Sequence, residues 1–280
     1  MSRLSDALSK ATREGTRREP LAVEGPRTIS TIGDISALRF LESDTVTPDL
    51  DGCVAKLVSD EEPWVEQLRT FATRLRTMEG SDRVRKIGLM SAAGNEGKTT
   101  IAIALSLVLA EEPGDQILLI DADLRHRDVE TRLGLRPSPG LGDWLKHPSP
   151  SIEVQKIGSD GPHFLSAGRP YAKPWELIAS PHLGTLLDAA SRDYRYVIAD
   201  CPAEGPVADA AKIQKHLDGL LLIVRARSAP REAILATVDN LDEDKVLGVV
   251  FNAEFHSRKR FKYYRYSGYV QYAENNKTSR

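Results

Sequence analysis

The chain has 280 residues, 41% apolar and 28% charged, with a formal charge of -2; this suffices for one buried core, and the near-neutral balance implies neither nucleic acid nor an acidic membrane as partner of the whole chain. No stretch approaches the 18 or so consecutive apolar residues of a membrane helix, the greasiest runs being Ile101 to Ala110 and Gly219 to Val224. The charged opening MSRLSDALSKATREGTRREP lacks the apolar run of a secretory signal, and the two cysteines, Cys53 and Cys201, lie too far apart in sequence for a disulfide framework or a metal pair, so a cytoplasmic location is expected.

In chain order, Leu4, Ala7, Leu8 and Ala11 recur at helical spacing and predict a weakly amphipathic helix over residues 1–18. Residues 19–62, with Pro20, Gly25, Pro26, Gly33, Pro48 and Gly52, show no sustained period and predict a flexible linker. Trp64, Leu68, Phe71, Leu75 and Met78 then return at three and four, so a helix from Trp64 to Met78 should pack on a neighbour. Beyond it, short β-rich runs alternate with helical ones: RKIGLMSA, a helix through IAIALSLVLA, QILLIDAD, HFLSA, RYVIADCP, GLLLIVRA and KVLGVVFN. Near-continuous apolar strands separated by helices describe an α/β domain over 63–253, a mostly parallel sheet with helices on both faces. Residues 254–280 abandon the pattern, turn basic and tyrosine-rich, and predict a flexible tail.

Two constellations carry chemistry. Ala92-Ala93-Gly94-Asn95-Glu96-Gly97-Lys98-Thr99 fits a phosphate-binding loop between a strand and a helix, so a P-loop NTPase fold is expected. The stretch Gly94 to Thr100, with Thr100 opening the helix, would wrap a nucleotide's phosphates in backbone N–H groups, Lys98 would reach the terminal phosphates and Thr99 would ligate Mg²⁺. Asp121, Asp123 and Asp200 stand at or just beyond the carboxyl ends of two strands, the edge at which parallel sheets bind ligands, and with Thr99 make a candidate Mg²⁺ site. Taken singly, each of these aspartates, Asp123 before Asp200, could instead be a helix cap after its strand.

These residues resemble the bacterial tyrosine autokinases of capsule and exopolysaccharide systems, over about Pro63 to Tyr272. SAAGNEGKTT looks like that family's Walker A loop, ILLIDADLRHRDV like its second Walker motif and YRYVIADCPAEGPVADA like its Walker B region, while GLGDWL and PWELIASP echo further segments. The resemblance implies that Lys98 binds phosphate of ATP, that Thr99 and Asp200 hold Mg²⁺ with help from Asp123, and that Asp121 is the base beside the acceptor hydroxyl. It further implies that Asn252 lies near adenine; the family aspartate matched by Asp209 is left without a role. Five of the eight tyrosines, Tyr263, Tyr264, Tyr266, Tyr269 and Tyr272, crowd into the tail and would be the phosphoacceptors, labelled in trans. They follow Arg258, Lys259, Arg260 and Lys262, so contact with lipid headgroups or nucleic acid is the competing reading of the tail.

The chain departs from the family in three ways. On the helix that carries its oligomerising Glu-x-x-Arg-x-x-Arg pattern, Glu66 and Arg69 match but Ala72 replaces the second arginine; Lys173 replaces an asparagine common before Pro174; and the fused membrane-spanning part is absent. The implied partners are therefore a separate membrane polysaccharide co-polymerase as activator, recruiting the chain to the inner face of the membrane, further copies of the kinase domain, and a phosphotyrosine phosphatase, with no specific nucleic acid. Competing functions are a positioning ATPase of the deviant Walker type, whose signature lysine falls on Ala93, and a degenerate binding module of the polysaccharide machinery.

Overall fold

The computed structural model describes residues 38–50, 63–78, 84–203 and 212–253. The helix expected over 1–18, Asp209 and the tail tyrosines lie outside them. The elements are β1 (Arg39–Val46), α1 (Pro63–Thr77), β2 (Lys86–Ser91), α2 (Lys98–Ala110), β3 (Ile117–Asp121), α3 (Asp128–Arg132), α4 (Leu141–Lys146), β4 (Ser151–Ile157), β5 (His163–Leu165), α5 (Pro174–Ile178), α6 (His182–Asp193), β6 (Tyr196–Asp200), β7 (Gly219–Arg225), α7 (Arg231–Asn240) and β8 (Val246–Asn252). Among the described residues, no helix is long and apolar enough to cross a membrane.

The strands form one eight-stranded sheet in the order β1-β4-β5-β3-β6-β2-β7-β8. Every neighbouring pair is parallel except β4 with β5. The fold is thus the expected mostly parallel α/β sheet. Its central strands β3 and β6 are buried along their whole length, which is why ILLID and YVIAD read as unbroken apolar runs closed by a single acid.

Two strands escape the sequence expectations. β1 lies inside the segment expected as a linker, so residues 39–46 are corrected from tether to sheet. RFLESDTV is almost wholly exposed, and an edge strand that buries so little imposes no apolar alternation on its sequence. It is held by parallel pairing to β4, by the Ser43 hydroxyl donating to the Val154 carbonyl (3.3 Å), and by Phe40 packing edge-on against Tyr194. β4 does alternate, burying Ile152 and Val154, but its polar remainder kept it below notice.

A hydrophobic layer lies on each face. On one side α2 is buried nearly all round, and α1 packs Leu68, Ala72 and Leu75 into the same cluster. α1 thereby finds the neighbour its apolar stripe required, worth about 1.5–3 kcal/mol per large side chain buried. On the other side residues of α4, α5 and α6, with Leu241 just after α7, cover Leu118, Ile120, Val197, Leu220, Leu222 and Val224.

Candidate functional site

β2 delivers the chain to the carboxyl edge of the sheet, where residues 92–97 turn it into α2. The turn needs left-handed backbone at Asn95 (φ 61°) and Gly97 (φ 93°). A Cβ on Gly97 would stand 2.2 Å from Asn252 Nδ2, so both conformation and space demand glycine there. Side chains brace the loop from within and without. Glu96 is fully buried, and its Oε2 accepts the Ala92 N–H (3.2 Å) across the turn. The Ser91 hydroxyl donates to the Ala93 carbonyl (2.7 Å). From the ends of β7 and β8, Arg225 Nη1 donates to the Asn95 carbonyl (3.1 Å) and Asn252 Nδ2 to the Glu96 carbonyl (2.8 Å). With its carbonyls tied outward in this way, the loop suits the cradling of an anion by N–H groups at the start of α2, where Lys98 is buried. Asn252, expected near adenine, braces the loop through this bond. Arg225 was missed in the sequence; its signal is a cation closing an apolar strand at the same edge.

β3 and β6 are neighbours, and their register places Asp121 opposite Asp200. Both carboxylates are buried. Burial pushes the Asp200 carboxyl up to about 7, opposed by a hydrogen bond from Thr99 and the charge of Lys98 and reinforced by Asp123 and Asp128. Asp121 is raised well above its ordinary value by burial and by the charges of Asp200 and Asp123, although it accepts N–H groups of Asp123 (3.1 Å) and Val129 (3.4 Å). Asp123 turns to its own loop: Oδ1 accepts the N–H groups of Arg125 (3.1 Å) and His126 (3.2 Å), and Oδ2 meets the His126 ring (3.1 Å). Asp123 thus caps the turn at residues 123–126 and not the start of α3, which has no side-chain cap. Among the described residues no three His, Cys, Asp or Glu side chains form a metal-holding group, so the three aspartates are not an all-protein cage. A Mg²⁺ beside phosphates needs few protein ligands, however. Thr99 and Asp200 fit that role, because Asp200 Oδ1 is buried with no hydrogen-bond partner.

A wall beside these acids is built by residues the chemical motifs did not single out. After β5, the chain at 166–171 is pinned from three directions. Ser166 donates to buried Glu130, Arg127 Nη1 donates to the Gly168 carbonyl (3.1 Å), and Asp143 accepts from Gly140 N (3.1 Å), Arg169 N (3.0 Å), Arg169 Nε (2.6 Å) and the Tyr171 hydroxyl (2.8 Å). Burial would raise the Asp143 carboxyl, but the hydrogen bonds from Arg169 and Tyr171 win and hold it near 2. The segments GLGDWL and PWELIASP flank this wall; Lys173 at its end pairs with Glu176 (2.8 Å).

On α1, Arg69 spans Glu66 (3.2 Å) and Glu111 of the segment after α2 (2.9 Å), both within this chain. Ala72, at the position where the oligomerising pattern carries its second arginine, is buried against α2.

No family model matches the chain. It is 31% identical over 204 residues to the tyrosine-protein kinase YwqD of Bacillus subtilis, covering 71% of this chain and 85% of that protein. To the putative tyrosine-protein kinase EpsB of Ralstonia nicotianae it is 30% identical over 234 residues, 81% of this chain but only 31% of EpsB, so the chain spans about a third of that longer relative. The kinase domain of Escherichia coli tyrosine kinase ETK superposes with a TM-score of 0.66 over 80% of this chain and 90% of that domain, at 22% identity, a likeness of fold.

Proposed function

The chain belongs to the bacterial tyrosine-protein kinases, and from that premise we propose that it is an ATP-dependent autokinase that phosphorylates the tyrosine cluster of its own kind in trans. The observation that carries the reading is the meeting, at one sheet edge, of a braced phosphate loop with Lys98, Thr99 and two register-paired aspartates. Phosphoryl transfer asks a protein mainly for positioning and for neutralisation of charge, which this small set is suited to supply.

In this reading Lys98 and the N–H groups opening α2 hold the ATP phosphates, while Asn252 and Arg225 keep the loop open by binding its carbonyls. Thr99 and Asp200 would hold Mg²⁺, which when bound offsets phosphate charge. Asp121 takes the proton of the acceptor phenol; the phenolic oxygen bonds to the γ-phosphorus as the bond to the β-phosphate oxygen breaks, and ADP leaves. The pinned wall at 166–171 limits where a tyrosine can enter. We assign catalysis to residues 63–253 with β1 added, and acceptor function to Tyr263, Tyr264, Tyr266, Tyr269 and Tyr272 in 254–280.

The biological setting follows the relatives' names and stays a proposal: control of exopolysaccharide or capsule production, at the cytoplasmic face of the membrane beside a co-polymerase, with self-association and a phosphatase resetting the tail. Lys98→Met removes the charge that faces phosphate and keeps the stem. It should cut tail labelling by about 10²-fold or more, measured by phosphosite mass spectrometry, with an unchanged thermal midpoint. Labelling at the parental rate would overturn the site assignment.

A further inference from the structure

The wall beside the catalytic acids carries its positive charge outward. The register pair Ile120–Leu165 sets Ser166 next to Asp121, so the chain enters the wall alongside the acid assigned to the acceptor phenol. Three residues on, Arg169 donates through Nε to Asp143 Oδ1 (2.6 Å) and through its backbone N–H to Oδ2 (3.0 Å). The partners differ in access: the Asp143 side chain is 13% exposed and that of Arg169 77%. Asp143, its carboxyl held near 2, is ionised. The anion thus sits inside and the cation outside.

A second cation and a ring complete this rim. Lys146, exposed at the end of α4, has its Nζ 5.6 Å from the centroid of the Tyr171 ring, whose hydroxyl donates to Asp143 Oδ1 (2.8 Å). Burial, with the hydrogen bond to Asp143, pushes the Tyr171 phenol up to about 12, so it stays neutral. Two cations therefore share one ionised carboxylate. Among the described residues Arg169 is engaged only by Asp143 and Tyr171, which leaves the distal edge of its guanidinium open. The mount is rigid. Arg127 Nη1 donates to the Gly168 carbonyl (3.1 Å), so Arg127 and Asp143 grip the two polar groups of one peptide bond. Gly168 takes left-handed backbone (φ 89°), and a Cβ on it would collide with the Asp143 carboxylate. A guanidinium with a fixed stem and an open outer edge loses little freedom on binding, and its fork matches the oxygens of a phosphate.

We propose that Arg169, Lys146 and the Tyr171 ring form a binding site for an aryl phosphate, the phosphotyrosine that an acceptor segment already carries when it returns for its next phosphate. This deepens the kinase reading and rests on it. Three considerations favour this ligand over the nucleotide or a free phosphate. The phosphate loop follows β2 and the wall follows β5, with β3 and β6 between them, so the two sites lie about 14 Å apart at the usual strand spacing. A ring beside two cations suits an aryl ester better than an inorganic anion. The substrate also supplies such a group: five tyrosines fall within ten residues, each one to three residues from the next, at most about 11 Å of extended chain. Ser166 to Arg169 is three residues as well, so a phosphate on Arg169 leaves a neighbouring phenol within reach of Asp121. Each phosphate brings about -1.5 to -2 charge, which the cations hold where they would not hold a neutral phenol. Later transfers to one tail should therefore outpace the first.

Binding is tested apart from catalysis on the full-length Lys98→Met chain and on the same chain with Arg169→Gln. The probe is a fluorescent synthetic peptide of residues 261–272, with and without phosphate on Tyr266, followed by anisotropy. The phosphopeptide should bind the first chain about tenfold more tightly than the plain peptide, and Arg169→Gln should remove the difference at an unchanged thermal midpoint. Equal binding of the two peptides overturns the site. A preference for phosphate that survives Arg169→Gln overturns its placement on the wall. Phenyl phosphate should displace the phosphopeptide at a concentration about tenfold lower than inorganic phosphate; equal displacement overturns the aryl assignment. In the otherwise parental chain, Arg169→Gln should lower the ratio of multiply to singly phosphorylated tails about three- to tenfold by intact mass. An unchanged ratio overturns the role in successive transfer, whereas no labelling of any chain, with the Arg169-dependent preference intact, sinks the kinase reading alone.

Discussion

β6 and β8 are apolar strands of one sheet with opposite fates. YVIAD is buried throughout and ends in an acid whose carboxyl is pushed up to about 7, while VLGVVFN alternates between half-buried and exposed and ends in an amide that reaches inward to brace the phosphate loop. Composition alone does not distinguish them. Position does: the centre of a parallel sheet is covered on both faces, so a polar group placed there is costly and is kept only where its charge has a use. At the edge an apolar group costs little. The molecule thus separates a chemical centre, made of buried charge, from an outer surface made of exposed grease.

The largest expected effect sets the two strands' surroundings against each other. Leu119→Ala, in fully buried β3, should lower unfolding stability by about 2–5 kcal/mol, whereas Val249→Ala should change it by no more than about 0.5 kcal/mol, both read from denaturant melts. Equal losses would erase the distinction between centre and edge.

The next effect concerns charge at the centre. The Asp200 carboxyl is raised from its ordinary 3.8 to about 7 by burial, so the fold favours the protonated acid. Stability from this group is full below about pH 4 and is lost as pH rises toward 7, at up to about 1.4 kcal/mol per pH unit. In nucleotide-free protein with chelator present, Asp200→Asn should flatten that decline between pH 5 and 7 and raise the midpoint at pH 7. A variant that declines as steeply as the parent would show that Asp200 is not held out of water.

The smallest effect lies where the two regions meet. Asn252→Ala removes the donor to the Glu96 carbonyl and should weaken ATP binding several-fold, on the order of 1 kcal/mol, with little loss of global stability. Titration calorimetry would detect it. Unaltered affinity would mean that the loop keeps its shape without a brace from β8.

The same contrast explains what the sequence made legible. ILLID, YVIAD and GLLLIVR announce themselves because two-sided burial leaves only apolar residues, and the phosphate loop is legible because its glycine and lysine spacing is imposed by the turn it must make. β1 is invisible, since RFLESDTV buries little and its hold on the sheet comes from backbone pairing and from Glu42 meeting the ring of His163, features without periodicity. The partners of Asp123 and Asn252 also needed coordinates: spacing places a carboxylate or amide at the sheet edge but does not say which backbone groups it binds, the turn at 125–126 for Asp123 and the phosphate loop for Asn252. Ala72 was a visible departure, and the structure adds that its small side chain is buried against α2.

The central claim, transfer of phosphate to the tyrosine tail between copies, is tested most directly by mixing a full-length Lys98→Met chain, unable to hold ATP phosphates, with an active chain ending at Ala253, which has no tail. With ATP and Mg²⁺ present, mass spectrometry should find phosphate on several of Tyr263, Tyr264, Tyr266, Tyr269 and Tyr272 of the Lys98→Met chain, and none when either chain is incubated alone. A Lys98→Met tail that stays unmodified in the mixture, while the full-length parental chain labels itself, would contradict transfer between copies; a parental chain that also stays unmodified would contradict the kinase assignment itself.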